Sequence, residues 1–290
     1  MIIDAHAHLW ESQNGLVNGK SVFSVGNGKS DFGGEIRQMM PPYMINGKNT
    51  VEQLIANMDY ARVNGAVITQ EYIDGNQDSY LLMAKEKYPN RIKICSLYQE
   101  HKDYVLEGFD GIKICAGRLR EPLENTLPVF RAAQESGKFV SIDLADGDTQ
   151  VSIMKEMIKA CPEVRIAIGH FGMVTRKGWE KQIELAQYPN VYIESGGITW
   201  LFNSEFYPYP SAVDAILEAK EICGIEKLMW GSDYPRTMTA ITYLMSLDFV
   251  TKSEKLSLKD KRLFLGENAE KFYGFAHQED ILPIKNMVED

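Results

Sequence analysis

The chain has 290 residues, of which 44% are hydrophobic and 24% are charged, and its net charge is −9. A chain of this length and composition is long enough to bury a large core without disulfide bonds. The acidic balance argues against sequence-independent binding to nucleic acid, which needs a basic surface. It is compatible with a locally positive pocket that binds a small anionic molecule.

The N-terminal segment MIIDAHAHLW has neither the basic start nor the long apolar stretch of a secretory signal. No run approaches the roughly 18 apolar residues that cross a bilayer. The four cysteines form no C-x-x-C pair, and Cys95 and Cys115 lie in apolar runs, which predicts buried, reduced thiols. We therefore expect a cytoplasmic protein without a membrane partner.

Eight short apolar, β-branched runs recur along the chain, and helical patterns separate them. The predicted strands are 2–6, 65–70, 91–97, 111–115, 139–144, 164–169, 191–195 and 228–233. The predicted helices run from Thr50 to near Gly65 and near 77–88, 125–136, 149–160, 178–187, 211–223, 238–248 and 257–273. This alternation predicts an α/β protein, a (β/α)8 TIM barrel that forms one domain over 1–290. A doubly wound open sheet is the competing fold.

Two connections are longer than a barrel requires, and neither has an obvious secondary structure. Residues 11–49 are rich in Gly, Asn and Pro, and residues 196–210 carry several aromatic side chains. Long loops in compact domains are usually lids or binding loops. We expect both at the C-terminal face of the barrel, where active sites form. The alternative is that they are surface insertions without a role in binding.

Two of the five histidines, His6 and His8, end the first predicted strand. Because side chains two apart on a strand share a face, Asp4, His6 and His8 are expected to face the barrel interior and the apolar residues between them the helices. Unpaired polar groups are costly there, and a metal ion bound by neutral imidazoles removes that cost. Core histidines satisfied by hydrogen bonds are the alternative interpretation.

Two later strands also end in residues that can bind a metal. His170 follows the sixth strand in IAIGHFG, and Asp233 ends the eighth strand in MWGSDYPR. In a closed barrel the first and eighth strands are neighbours. The sequence therefore predicts that His6, His170 and Asp233 meet at the barrel mouth.

Four segments together carry a family resemblance: IIDAHAH at 2–8, IGHFG at 168–172, WGSDYPR at 230–236 and GENAEKFYG at 266–274. With them the sequence resembles the amidohydrolase superfamily, and within it the amidohydrolase-2 branch of aminocarboxymuconate-semialdehyde decarboxylase and related lactone hydrolases. The resemblance spans essentially the whole chain. It implies a barrel with a catalytic divalent metal, hydrolysis or non-oxidative decarboxylation, and small carboxylated substrates.

Carried over by position, the resemblance implies roles for four residues. His6, His8 and His170 would be metal ligands or groups that polarise the substrate. Asp233 would bind the metal and shuttle protons from the bound water.

One position departs from the family pattern. The family usually ends its fifth strand with a histidine, whereas this chain has Asp143 in FVSIDL. A carboxylate can bind zinc or manganese, but Lys113 on the fourth strand is also predicted to face inward and could pair with Asp143. Such pairing would weaken metal binding or leave the site metal-free. A carboxylated Lys113 that bridges two metals is a third arrangement.

We expect one divalent ion, zinc with manganese as the alternative, held by His6, His8 and Asp143. Asp233 is expected to be a further ligand or the general base. His170 would stabilise the oxyanion or complete the metal shell. The resulting hypothesis is a hydrolase in which metal-activated water attacks the carbonyl of a small carboxylated or sugar-acid substrate, a lactone first of all.

The residues expected to contact the substrate are Arg236, Arg118, Arg120, Lys113, Trp200 and Tyr207. Arginines can clamp a carboxylate with two parallel hydrogen bonds, although these could also be solvent-facing loop residues. The alternatives are a metal-dependent decarboxylase of the same family, a metal-independent lactonase, a TatD-like deoxyribonuclease and a non-catalytic binding protein. Self-association into a homo-oligomer is compatible with the sequence.

Overall fold

The computed structural model describes residues 1–285 and 287. Its strands, in chain order, are β1 (Ile3–Ala7), β2 (Asn14–Val17), β3 (Lys20–Gly26), β4 (Lys29–Phe32), β5 (Ile36–Gln38), β6 (Gly65–Ile68), β7 (Ile92–Leu97), β8 (Gly111–Ile114), β9 (Phe139–Ile142), β10 (Arg165–Ile168), β11 (Val191–Glu194) and β12 (Leu228–Met229). Each of the eight predicted apolar runs overlaps one of these strands.

The α-helices are α1 (Val51–Ala61), α2 (Asp78–Lys87), α3 (Leu127–Glu135), α4 (Val151–Ala160), α5 (Trp179–Ile183), α6 (Ile198–Leu201), α7 (Pro210–Cys223), α8 (Met245–Thr251), α9 (Leu258–Arg262) and α10 (Asn268–Tyr273). The first helix starts at Thr50, whose side chain accepts the backbone N–H of Gln53 while the Gln53 side chain bonds back to the Thr50 N–H. This is the capping box that the sequence predicts. None of the helices in residues 1–285 has the length and apolar character needed to cross a membrane.

The eight strands β1 and β6 to β12 form one parallel sheet in chain order. The sheet closes on itself because the N–H of Ala5 donates to the carbonyl of Trp230 at 2.9 Å and the N–H of Asp233 donates to that of His6 at 2.9 Å. The fold is thus the predicted (β/α)8 barrel. Its closure places the ends of β1 and β12 side by side, where His6, His8 and Asp233 follow.

The hydrophobic core has two layers, which follow from the alternation of side chains along each strand. The residues that fill the barrel form a cluster closed by α10; they include Ile3, Ala5, Val67, Phe139, Ala167, Met229 and Phe272. The other face of each strand packs against the surrounding helices, as Ile68, Ile114, Ile142 and Ile168 do.

A β-bulge in β1 changes which residues reach the barrel mouth. The pairing of β1 with β6 shifts between Asp4 and Ala7, so one extra residue is inserted there. Ile3 and Ala5 face the interior, so the expectation that they pack against the helices is wrong, and because of the extra residue His6 faces the interior as well. The expectation that Asp4 shares a face with His6 is therefore wrong. Asp4 instead accepts hydrogen bonds from Ser232 and Tyr243.

The first long connection is not the irregular loop that its composition suggests. Strands β2 to β5 form a separate four-stranded antiparallel sheet. The backbone N–H groups of Asn14 and Leu16 donate to the carbonyls of Asp74 and Tyr72 at 3.1 and 2.9 Å, which fixes this sheet against the loop after β6. The Gly and Asn residues of the segment supply turns between short strands rather than disorder.

Candidate functional site

The predicted histidines and Asp233 meet at the mouth of the barrel. Nε2 of His6 lies 3.0 Å from Nε2 of His8, which lies 3.0 Å from Oδ1 of Asp233. The ring of His170 is 4.6 Å from that of His6, measured between ring centroids. His6, His8 and Asp233 are buried. The convergence that strand order predicts for these residues is thus present.

The charge states around Asp233 suit a cation-binding site. Burial raises the pKa of the Asp233 carboxyl, but the hydrogen bond with His8 and the charges of Arg236 and His170 outweigh burial and hold that pKa well below its usual range. Burial and the nearby Arg236 cation keep the pKa of His8 well below its ordinary value. At neutral pH the site therefore combines a carboxylate with a neutral imidazole, the forms that bind divalent metals.

The donor atoms present fit a divalent metal. One ligand atom from each of His6, His8 and Asp233 lies within 4.8 Å of the others, and the same holds for His6, Asp143 and His170. If the facing Nε2 atoms of His6 and His8 form a hydrogen bond, only one of the two nitrogens carries the hydrogen. A bound cation would instead accept the lone pairs of both nitrogens. Among residues 1–285, the buried Nδ1 of His8 and Oδ2 of Asp143 have no hydrogen-bond partner.

Asp143 lies beside this cluster but is paired with a lysine. Nζ of Lys113 is 2.6 Å from Oδ1 of Asp143 and 3.5 Å from the hydroxyl of Ser141. Burial disfavours the ammonium, but the Asp143 carboxylate outweighs it and raises the pKa of Lys113. The inward orientation predicted for Lys113 and Asp143 is present. This ion pair argues against a carboxylated Lys113, because carboxylation needs a neutral amine and Lys113 is an ammonium.

His170 holds a strained but directed position after β10. Its φ of 53° lies in the left-handed region, and its Nδ1 donates to the carbonyl of Gly196 at 2.9 Å. Burial lowers the pKa of the imidazole, but Asp143 foremost, with Asp233 and Glu194, raises it to about 10. The ring is therefore cationic at neutral pH, with Nε2 3.6 Å from Oδ2 of Asp143.

Glu194, at the end of β11, is a site residue that the sequence reasoning missed. Its Oε1 lies 2.6 Å from Nδ1 of His6, and its Oε2 accepts the N–H of Gly196 at 2.6 Å. The side chain is fully buried. The available signal was a carboxylate inside the otherwise apolar run VYIES, at a strand end like those of the other site residues.

A cavity of about 510 Å³ opens beside the cluster, and Arg118, Trp200 and Arg236 line it. Arg236 donates to Oδ2 of Asp74 at 2.7 Å, and its NH1 is 3.8 Å from Oδ1 of Asp233. Arg118 donates through Nε to Glu71 at 3.0 Å. The cavity therefore offers two guanidinium groups close to the carboxylate and imidazole groups.

Three of the residues expected to contact the substrate do not line this cavity. The backbone N–H of Arg120 is bound by the Glu100 carboxylate, and its exposed side chain lines a separate surface cleft. Tyr207 packs edge-to-face on Tyr209 and lines a groove elsewhere. Lys113 is fully buried and contacts Asp143 rather than the cavity.

Solved structures with the same fold include several amidohydrolases. A probable 2-pyrone-4,6-dicarboxylic acid hydrolase from Acinetobacter baumannii, with citric acid bound, is 20% identical over 94% of this chain and 99% of that chain (TM-score 0.69). An amidohydrolase from Burkholderia multivorans with bound zinc is 13% identical over 95% and 100% of the two chains (TM-score 0.69).

A third structure, 5-carboxyvanillate decarboxylase from Novosphingobium aromaticivorans with manganese and 4-hydroxy-3-methoxy-5-nitrobenzoic acid, is 18% identical over 77% and 79% of the chains (TM-score 0.54). At these identities the likeness concerns the fold alone.

No curated protein matches this sequence. A family model described as amidohydrolase matches residues 3–275. The chain, with its closed barrel and its histidine–aspartate cluster at the barrel mouth, therefore belongs to the amidohydrolase family.

Proposed function

We propose that this protein is a metal-dependent hydrolase that opens an ester-like bond, a lactone first of all, in a small carboxylated or sugar-acid substrate. The observation that carries the proposal is the cluster of His6, His8 and Asp233 beside a cavity with two arginines. A carboxylate in hydrogen-bond reach of an imidazole is a common arrangement for general-base catalysis. The arginines give the same cavity an affinity for carboxylates.

His6, His8 and Asp233 would hold a divalent ion, and Asp143, whose Oδ2 lies 3.6 Å from Nε2 of His170, would be a further donor. When bound, such an ion supplies Lewis acidity, which acidifies water and polarises a carbonyl. Zinc suits imidazole and carboxylate donors, and manganese is the alternative. The Lys113 ammonium neutralises much of the Asp143 charge and so lowers the attraction of that carboxylate for a cation.

Asp233 is the general base in this mechanism. It is ionised at neutral pH, and the indole N–H of Trp200 fixes its direction by donating to Oδ2, while Oδ1 lies 3.0 Å from Nε2 of His8. It would take the proton of the attacking water and return it to the leaving oxygen. Burial excludes competing solvent from this transfer.

His170 and the two arginines would bind the substrate. The cationic His170 directs its Nε2 away from Gly196 and can donate to the oxyanion that forms at the carbonyl. Nε of Arg118 bonds to Glu71, and its two terminal nitrogens have no other partner among residues 1–285. They are placed to bind a carboxylate with two parallel hydrogen bonds.

The test is Asp233→Asn, assayed on a panel of sugar-acid and dicarboxylate lactones with and without added zinc. We expect kcat/KM to fall by about 1,000-fold or more, as when a general base is removed. The matched control is Asp214→Asn, which makes the same change at an exposed side chain paired with Lys255 outside the cavity, and which should keep wild-type turnover. Near wild-type turnover by Asp233→Asn would contradict the mechanism.

Two further measurements separate the alternatives. Release of carbon dioxide from aromatic or unsaturated carboxylates, without lactone hydrolysis, would show that the protein is a decarboxylase and not a hydrolase. Full lactone turnover by protein that contains no metal after chelation would show that the protein is a metal-independent lactonase.

A further inference from the structure

We propose that Glu194 is a positioning residue that fixes the tautomer of His6, with the proton on Nδ1 and the lone pair of Nε2 directed at the metal position. The inference deepens the proposed function, because it takes His6 as a metal ligand. It concerns a residue that the catalytic scheme above does not use. Its tests are chosen so that they do not depend on lactone turnover.

The contacts of the Glu194 carboxylate determine which nitrogen of His6 carries the proton. Oε2 accepts the N–H of Gly196 at 2.6 Å, and Oε1 lies 2.6 Å from Nδ1 of His6. A carboxylate only accepts hydrogen bonds, so Nδ1 of His6 must carry the proton. Nε2 then keeps its lone pair, and this atom lies 3.0 Å from Nε2 of His8 and 3.9 Å from Oδ1 of Asp233.

Three glycines at strand ends make room for this pair. A Cβ on Gly169 would lie 2.7 Å from Oε1 of Glu194, and one on Gly196 would lie 2.8 Å from Oε2. A Cβ on Gly231 would lie 2.8 Å from Cβ of His6 and 3.0 Å from Oε2 of Glu194. These distances are shorter than real Cβ contacts. The segments that follow β10, β11 and β12 therefore each have a glycine, and no side chain, next to the Glu194–His6 pair.

The isosteric change Glu194→Gln should invert the tautomer. The N–H of Gly196 needs an acceptor, so the amide oxygen would take the place of Oε2 and the NH2 group would face Nδ1 of His6. Nδ1 must then accept, and the His6 proton moves to Nε2, where it blocks the lone pair. Because Gln has the shape of Glu, the barrel should fold as in the wild type.

The primary measurement is ¹⁵N NMR of histidine-labelled, metal-free protein at neutral pH. The chain has five histidines, and His6→Asn identifies the His6 signals. We expect Nδ1-protonated His6 in the wild type and Nε2-protonated His6 in Glu194→Gln. A wild-type His6 that carries its proton on Nε2 would overturn the proposal, and this result needs no variant at Glu194.

The second measurement is zinc affinity by chelator competition. Loss of a group that orients a metal-binding histidine typically costs 10–100-fold in metal affinity, and we expect about that loss in Glu194→Gln. Gly231→Ala, which crowds the same pair from another strand, should weaken zinc binding in the same direction. Asp260→Asn, whose carboxylate contacts Lys220 and Ser257, is the control and should bind zinc as the wild type does.

These readouts distinguish the inference from the proposed function. Unchanged zinc affinity and an unchanged His6 tautomer in Glu194→Gln would refute the role of Glu194, even if lactones are hydrolysed. An inverted tautomer with weakened zinc binding would support it, even if no lactone in the panel is a substrate.

Discussion

Trp200 donates its indole N–H to Oδ2 of Asp233 at 2.7 Å. This bond joins the long connection after β11 to the carboxylate that follows β12. Because the other oxygen of Asp233 lies 3.0 Å from Nε2 of His8, the carboxylate plane is held from both sides. The second long connection thus contributes directly to the candidate base, beyond lining the cavity.

Replacing Trp200 by Phe should lower kcat/KM by about tenfold or more. The change removes a hydrogen bond to a buried charged group, worth about 1.5–3 kcal/mol, and lets the Asp233 carboxylate rotate. Steady-state kinetics on the best lactone of the panel measure the effect. Trp179→Phe, at a tryptophan that stacks on Phe171, is the control. Equal kinetics for the two variants would contradict the assigned role of Trp200.

Lys113→Met should destabilise the fold by about 1.5–3 kcal/mol, because it removes a charge-assisted hydrogen bond to Asp143 while the His170 cation still faces that carboxylate. Lys113 is fully buried, and the Asp143 side chain is 14% exposed. The free energy of unfolding, from urea denaturation, measures the loss.

The double variant Lys113→Met/Asp143→Leu tests the cause of that loss. It removes both charges, and we expect it to be more stable than Lys113→Met alone. If Asp143→Leu instead lowered the free energy of unfolding further in the Lys113→Met background, the ion pair would not explain the lower stability of Lys113→Met.

The pH dependence of stability should report on Asp260. Burial raises the pKa of this carboxyl, but the hydrogen bonds from Lys220 and Ser257 outweigh burial and lower it below 3.8. A depressed pKa in the folded state stabilises the protein above pH 3.8, and this contribution disappears as the pH falls through the folded-state pKa.

Asp260→Asn should therefore be less stable than the wild type by about 1 kcal/mol at pH 7, given a charge-assisted bond and a helix cap. The gap between the two proteins should narrow as the pH falls below 3.8, because the wild-type carboxylate then becomes protonated. Thermal unfolding across this range measures the difference, and a gap that widens on acidification would show that the sign is wrong.

Zinc should stabilise the protein through the histidine cluster. A ligand at 100 times its Kd that binds only the folded state adds about 2.7 kcal/mol to the free energy of unfolding. We expect zinc to raise Tm, chelator to reverse the rise, and His8→Ala to abolish it. A rise of equal size in His8→Ala would place the metal elsewhere.

Much of this protein can be predicted from short-range patterns. Apolar runs of five to seven residues, helical segments between them, the capping box at Thr50 and polar residues at the ends of particular strands were sufficient for the barrel and for the meeting of His6, His170 and Asp233. These features follow from the sequence because strand alternation, capping and barrel closure place residues by rules that act on neighbours along the chain.

The tertiary structure alone decided the bulge in β1, the choice of the Lys113–Asp143 ion pair among the arrangements that the sequence left open, and the contact of Glu194 with His6. It also decided that Arg118 and Arg236 reach the cavity and Arg120 does not. Each of these depends on which groups from distant strands and loops come within hydrogen-bond distance when the barrel closes. A buried charge or imidazole takes whichever partner that closure supplies, and no local pattern in the chain specifies the partner.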